Sequence, residues 1–253
     1  MNKILHHIDM SKSKLDLKSR MDEVWGEYVA YHIYNVPQQD YGILYNDLSE
    51  HLGYVDERIS VNGSDEVSKS RDIKYNPELY HYFASNTRQP LHTDYAYYEE
   101  PETPDWLMLY CMDVSEFGGM THLLSVKTLE NILKKYNPDL LEKIKIDINW
   151  KYTGKGKDII HTRPLFDGKK MNWNYWQVKE ELNTPKVMEV RQEFFDFMNN
   201  VIGDGSIYDF SKKWKKGDCI IFNDHYCLHG RDAFLGNSRW LRDLAFKIKK
   251  NKK

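Results

Sequence analysis

A histidine and an aspartate two residues apart on an extended chain point to the same face and can grip one ion together, and Leu91-His92-Thr93-Asp94 offers that arrangement. An H-x-D tripeptide is common by chance and is usually a hydrogen-bonded surface pair. Weight comes from Cys227-Leu228-His229-Gly230-Arg231, about 135 residues further on. It sets a second histidine at the end of an apolar run, beside a glycine that lets backbone approach or turn. Two histidines and one carboxylate form the facial set of non-haem Fe(II) oxygenases, which leaves iron positions open for a cosubstrate and O₂. Zinc accepts the same ligand types, so a zinc-dependent hydrolase is the competing chemistry.

The elements that must carry these groups are read from apolar patterning. Leu107 to Met112 is a bulky apolar run, and Gly118-Gly119 separates it from Met120 to Ser125, which predicts two core strands joined by a turn. Gly217-Asp218 opens a predicted strand pair, Cys219 to Asn223 and His225 to His229, and Trp240 to Lys247 is the last strand. Leu129, Ile132, Leu133, Tyr136, Leu140 and Leu141 recur at helical spacing, broken at Asn137-Pro138, which predicts two consecutive helices. Val187 to Val201 is a further helix, and residues 157–178 form short alternating segments.

Upstream, Glu23 to Ile33 reads as an extended piece and Gly42 to Leu48 as a short amphipathic helix. Residues 57–75 are polar, with a turn at Asn62-Gly63-Ser64-Asp65, and read as a surface loop or hairpin end without recognisable chemistry. No internal repeat or low-complexity tract occurs. The expected organisation is one domain over 1–253 with a helical lid insert at about 125–213.

With 253 residues the chain is long enough to bury a sizeable core. Lys plus Arg number 36 against 38 Asp plus Glu, a net charge of −2, so no global field recruits nucleic acid or an acidic membrane surface. Aromatic residues make up 14%, including 18 Tyr and 7 Trp, which argues against disorder and suits amphipathic pocket walls. Cys111, Cys219 and Cys227 lack C-x-x-C spacing and read as reduced thiols, which predicts a cytoplasmic protein. The first residues lack the apolar stretch of a signal peptide, and no run reaches the length of a membrane span.

Five segments in order carry a family resemblance: Pro90-Leu91-His92-Thr93-Asp94, Gly118-Gly119-Met120-Thr121, Gly217 to Asp224, Leu228-His229-Gly230-Arg231 and Ser238-Arg239-Trp240-Leu241-Arg242. Together they resemble the TauD/TfdA family of 2-oxoglutarate dioxygenases, the group that includes γ-butyrobetaine hydroxylase and relatives of clavaminate synthase. The resemblance runs loosely from about residue 25 to the C-terminus, and over 125–213 it matches in layout more than in residues. It implies a mainly β fold with flanking helices, a double-stranded β-helix or jelly roll of cupin type. His92, Asp94 and His229 would then bind Fe(II) as the catalytic metal, and Arg239 would pair with the distal carboxylate of 2-oxoglutarate. A guanidinium suits that role, since its planar fork meets a carboxylate bidentately and stays charged when desolvated. Thr121 resembles the hydroxyl donor to the same carboxylate.

The implied reaction consumes 2-oxoglutarate and O₂ and oxidises, most simply hydroxylates, a small polar metabolite such as an amino acid or a related amine or carboxylate. Free and carrier-tethered substrates are both open, as are desaturation, cyclisation and demethylation, and the oligomeric state is not indicated. Retention of Asp94 disfavours halogenation, because related halogenases exchange that ligand for a small residue. Candidate substrate contacts are Tyr95, Tyr97 and Tyr98 after the metal motif, Asn172, Trp173 and Asn174 in the insert, and Arg242 just past Arg239. His6, His7, His122 and His225 read as structural, with His225 a candidate support for His229.

Overall fold

The computed structural model describes residues 3–12, 16–36, 44, 48–49, 51–55, 58–59, 67–68, 70–79, 82–97, 103–146, 150–153, 160–203 and 205–247. The expected turn at 62–65, Tyr98 and most of the expected helix at 42–48 lie outside them. The strands that build the site are β1 (Lys3–Asp9), β2 (Tyr28–Tyr34), β3 (Tyr54–Val55), β4 (Arg71–Lys74), β5 (Gln89–His92), β6 (Trp106–Asp113) and β7 (Thr121–Ser125). They are followed by β8 (Trp150–Thr153), β9 (Ile160–Arg163), β10 (Phe210–Lys212), β11 (Cys219–Asn223), β12 (Cys227–Arg231) and β13 (Trp240–Lys247). The α-helices with both ends among the described residues are α1 (Leu17–Val24), α2 (Val126–Tyr136), α3 (Pro138–Lys145) and α4 (Pro185–Phe197), the last continued by a π-turn, Met198–Ile202, and Leu44, Leu48, Ser49, His51 and Leu52 are also helical.

A seven-stranded sheet runs β1-β2-β11-β6-β13-β3, with β4 also on β13, and faces a four-stranded sheet in the order β10-β7-β12-β5. Side chains between them form one apolar layer, with Leu107, Leu109, Ile220 and Phe222 from the larger sheet and Leu123 and Cys227 from the smaller. The alternate residues of the larger sheet, Trp106, Met108, Tyr110 and Ile221, pack outward with Leu17 and Met21 of α1. The alternate residues of the smaller sheet, Leu91, Leu124 and Leu228, pack outward under α2, α3 and α4. Burial of strands on both faces explains why β6 and β11 read as unbroken apolar runs.

Two expected pairings are corrected. β6 and β7 are not partners, nor are β11 and β12: each consecutive pair divides between the two sheets. The chain winds from sheet to sheet, as a double-stranded β-helix requires. The segment read as a polar loop also contains β4, which pairs with β13 in the register Arg71↔Asp243.

Helices α2, α3 and α4 form where expected, for local reasons, whereas α1 is not anticipated and takes up Glu23 and Val24 of the expected extended piece. Ser125 caps α2 by accepting from the Thr128 amide at 3.0 Å, and Leu129 and Leu133 face the core one turn apart. Asn137 ends that helix and caps α3, whose first residue is Pro138. Thr184 and Pro185 repeat this start at α4. No helix among the described residues is long and apolar enough to cross a membrane.

Candidate active site

Cross-strand pairing of β5 with β12 sets His92 directly opposite His229, with ring centroids 4.2 Å apart. Strand alternation then separates functions along Leu91-His92-Thr93-Asp94. Leu91 packs outward under the helices, and Thr93 exchanges hydrogen bonds with the Trp173 backbone: its amide donates at 2.7 Å and its hydroxyl accepts at 2.9 Å. His92 and Asp94 turn to the opposite side, between the sheets, where they and His229 line a cavity of about 600 Å³. Ligand atoms of these three residues all lie within 4.8 Å of one another, close enough to share one ion. Tyr95 takes φ +52°, so the chain reverses immediately after Asp94.

The surrounding groups fix the presentation of each ligand. His92 Nδ1–H donates to the Pro90 carbonyl at 2.9 Å, which selects the tautomer with an unprotonated Nε2; that nitrogen accepts from Gln89 Nε2 at 3.1 Å, a bond a metal would displace, and lies 3.4 Å from Asp94 Oδ1. His229 Nδ1 faces Asp224 Oδ1 at 3.8 Å. The same Asp224 oxygen accepts the Asp94 backbone N–H at 3.1 Å, so one buried carboxyl bonds Asp94 and adjoins His229. Burial, reinforced by the neighbouring Asp94 charge, pushes the Asp224 carboxyl well above the usual carboxylate range. Burial acts upward on Asp94 as well, but the adjoining imidazoles of His92 and His229 and the Arg71 guanidinium outweigh it and hold that carboxyl low. Burial and the adjacent His92 take His229 down to about 3, so it is neutral at physiological pH, as a metal ligand must be.

Arg239, immediately before β13, is 4% exposed and lines the same cavity. Its guanidinium lies 5.4 Å from the Phe234 ring centroid and has no carboxylate within ion-pair distance among the described residues. Burial lowers it to about 10. A buried cation with no protein anion is costly, and an anionic ligand is the natural remedy. Thr121, on β7, also lines the cavity, and Trp214 Nε1–H donates to its hydroxyl oxygen, which leaves the hydroxyl proton available to a ligand. Nearby Arg231 is satisfied differently, by the backbone carbonyls of Tyr82, Ser85, Thr87 and Asp232, and so straps the segment before β5 onto β12.

Among the candidate substrate contacts, Tyr95 and Tyr97 line the cavity. Asn172, Trp173 and Arg242 do not. Trp173 is buried in the outer core against Phe194, and Asn172 turns its side chain to the Pro164 carbonyl at 3.1 Å. Arg242 lies on the outward face of β13 and pairs with Asp72 at 2.8 Å, because alternation gives the inward positions to Leu241 and Asp243. Asn174 does reach the cavity, its Nδ2 donating to the Thr93 carbonyl at 3.4 Å. His122 is taken up by Asp232 at 2.9 Å and Ser211 at 2.8 Å. Sequence reasoning missed Arg71, Asp224 and Asp243. Asp224 stood in a quoted segment without a role, and the other two are brought together only by the pairing of β4 with β13.

Known proteins align with this geometry. The family model described as taurine catabolism dioxygenase TauD, TfdA family matches residues 9–244. A curated relative, 3-((Z)-2-isocyanoethenyl)-1H-indole synthase from Fischerella ambigua, is 28% identical over 187 residues, which is 66% of this chain. The alignment spans 65% of that relative's length. An asparagine oxygenase, solved with Fe(II), 2S,3S-3-hydroxyasparagine and succinate, superposes with a TM-score of 0.68 at 14% identity, covering 91% of this chain and 78% of its own. The PvcB protein from Pseudomonas aeruginosa superposes with a TM-score of 0.64 at 14% identity, covering 97% and 87%. These two likenesses establish the jelly-roll oxygenase fold. Because the family match runs through both sheets and every cavity-forming strand from β2 to β12, the chain belongs to the TauD/TfdA family of Fe(II)- and 2-oxoglutarate-dependent dioxygenases.

Proposed function

We propose that this chain oxidises a small amino-acid-derived carboxylate, holding Fe(II) with His92, Asp94 and His229 and the distal carboxylate of 2-oxoglutarate with Arg239 and Thr121. The observation that carries the reading is Arg239, a buried guanidinium with no counter-ion among the described residues, in the same cavity as two histidines and a carboxylate that converge within 4.8 Å. Zinc hydrolysis does not of itself call for a buried cation beside the metal, whereas a chelating dicarboxylate does. When bound, iron with 2-oxoglutarate and O₂ supplies a two-electron oxidation, in which one oxygen atom enters succinate as CO₂ leaves and the other enters product or water. The protein's part is to orient His92 through Pro90, hold Asp94 ionised, keep His229 neutral and exclude water from the cavity.

Hydroxylation is the primary outcome we assign, in keeping with the asparagine oxygenase likeness. Desaturation is the second reading, favoured by the curated relative, whose named product carries an ethenyl group on an indole ring. Product mass separates them, since hydroxylation adds one oxygen and desaturation removes two hydrogens. The organisation we infer is one domain over 1–253 with a helical insert at about 125–213. The buried free thiols of Cys111, Cys219 and Cys227 support a reducing, cytoplasmic setting.

The test is anaerobic addition of Fe(II) and then 2-oxoglutarate to metal-free protein, followed by visible spectroscopy for the weak charge-transfer band of keto-acid chelation. The band is expected in the wild type, absent in His229→Ala, and in Arg239→Gln reached only at 2-oxoglutarate concentrations at least tenfold higher. A folded, iron-loaded wild type without the band refutes the assignment.

A further inference from the structure

Arg71 enters the cavity from β4, a strand that reaches the site only by pairing with β13. Its Nε donates to Asp243 Oδ2 at 2.9 Å, its Nη2 donates to the same oxygen, and Nη2 lies 3.8 Å from Asp94 Oδ2. The guanidinium carbon stands 5.3 Å from the centroid of the Phe83 ring. Asp243 is almost wholly enclosed, with 2% of its side chain exposed, whereas Arg71 keeps 24%. A fully buried carboxylate and an aromatic face thus clamp one edge of the fork beside the metal triad. These bonds use Nε and Nη2, and Nη1 takes part in none of the described hydrogen bonds.

Of the other cations lining the cavity, Lys179 is exposed and has no described contact with the triad, and the arginines are differently engaged. Arg231 gives both Nη groups to backbone carbonyls, and the proposed function gives Arg239 to 2-oxoglutarate. Arg242, past Arg239, is turned away onto Asp72. Around Arg71 the wall is aromatic: Tyr82, Phe83, Tyr95, Tyr97 and Trp176 line the same cavity, with Tyr82 and Trp176 ring centroids 3.6 Å apart.

We propose, resting on the oxygenase reading above, that Arg71 is the anchor for the substrate's carboxylate and that the substrate is a free aromatic amino acid or its N-substituted derivative. A carboxylate on the open edge of this fork sits beside Asp94, which brings the adjoining carbons before the triad and leaves the ring to the aromatic wall. Asp243 holds the guanidinium rigid, so little rotamer freedom is lost on binding. An acid recognised through its carboxylate cannot at the same time be thioester-linked to a carrier, so the proposal commits to a free substrate.

The experiment uses the full chain loaded with Fe(II) and 2-oxoglutarate without oxygen, and titrates L-tryptophan and L-tyrosine against their carboxamides by calorimetry and by perturbation of the charge-transfer band. In the wild type at least one acid is expected to bind tenfold or more tightly than its amide. Arg71→Gln should abolish that preference while keeping the unperturbed band, and Arg71→Lys should restore part of it. A preference that survives in Arg71→Gln overturns the anchor, as does a wild type that shows the band but favours neither acid over its amide. Loss of the band in Arg71→Gln alone would also overturn it, by showing that Arg71 acts through Asp94. Absence of the band in the wild type removes the oxygenase reading, and the anchor with it.

Discussion

Gly230 is where β5 and β12, which carry the proposed metal ligands, approach most closely. A Cβ there would lie 2.7 Å from the Gln89 carbonyl oxygen and 3.1 Å from the Leu91 amide nitrogen, both backbone atoms of β5 that cannot swing aside. The β5–β12 register is already irregular between His229 and Arg231, so the glycine absorbs a local bulge beside a ligand. Gly230→Ala should therefore cost about 1–3 kcal/mol of stability through overpacking and weaken Mn(II) binding at least tenfold by moving His229 from His92. Urea unfolding and a Mn(II) titration give the two numbers, and unchanged metal affinity would show that strand contact does not set the ligand spacing. His92, Asp94 and His229 were legible because i and i+2 on a strand share a face whatever the rest of the fold does. The Arg71–Asp243 pair was not, because its members are 172 residues apart and only sheet pairing joins them. Of the candidates in the insert, Trp173 faces the core and Asn174 the cavity, a choice fixed by bonds of the Trp173 amide to the Thr93 hydroxyl and of the Asn174 side-chain amide to the Thr93 carbonyl.

Elements with their own punctuation were readable in advance. The break between α2 and α3 is written in Asn137-Pro138. Which strands would pair was not readable, because β6 and β11 are apolar on both faces and local pattern names no partner. One inter-element contact from that unpredicted topology has a measurable consequence. His32 of β2 is buried with Nδ1 3.1 Å from His7 Nδ1 of β1 and Nε2 3.1 Å from Lys212 Nζ of β10, across to the smaller sheet. Burial, with help from Lys212 and His7, takes it from the ordinary 6.5 to about 3. Between those values the unfolded chain binds the proton and the native chain does not. Stability from this group is thus complete above about pH 6.5 and falls as pH drops toward 3. His32→Gln should reduce the proton uptake on unfolding at pH 5 by up to about one, read from the pH dependence of urea midpoints between pH 5 and 7.5. An identical pH dependence in the variant would mean that His32 is protonated in the native protein.

Across the whole molecule the proposed cofactor site spans the two sheets. His92, Asp94 and His229 lie on or beside β5 and β12 of the smaller sheet, as does Thr121 on β7, whereas Arg239 precedes β13 of the larger. A dicarboxylate that chelates a metal at one end and meets Arg239 at the other would cross-link the halves of the jelly roll, and its binding energy would appear as resistance to unfolding. Net charge and composition gave no hint of this coupling; it follows from where the strands lead. Mn(II) alone should raise the melting temperature by acting within the smaller sheet, and N-oxalylglycine, an inert stand-in for the keto acid, should add a second increment. At about 100 times its Kd each ligand stabilises by roughly 2.7 kcal/mol, which for a chain of this size is on the order of 5–10 °C. Arg239→Gln should keep the Mn(II) increment and lose most of the second, while His92→Ala loses both. Equal N-oxalylglycine stabilisation in wild type and Arg239→Gln would detach the keto acid from the larger sheet. The buried guanidinium would then need a different anion to account for it.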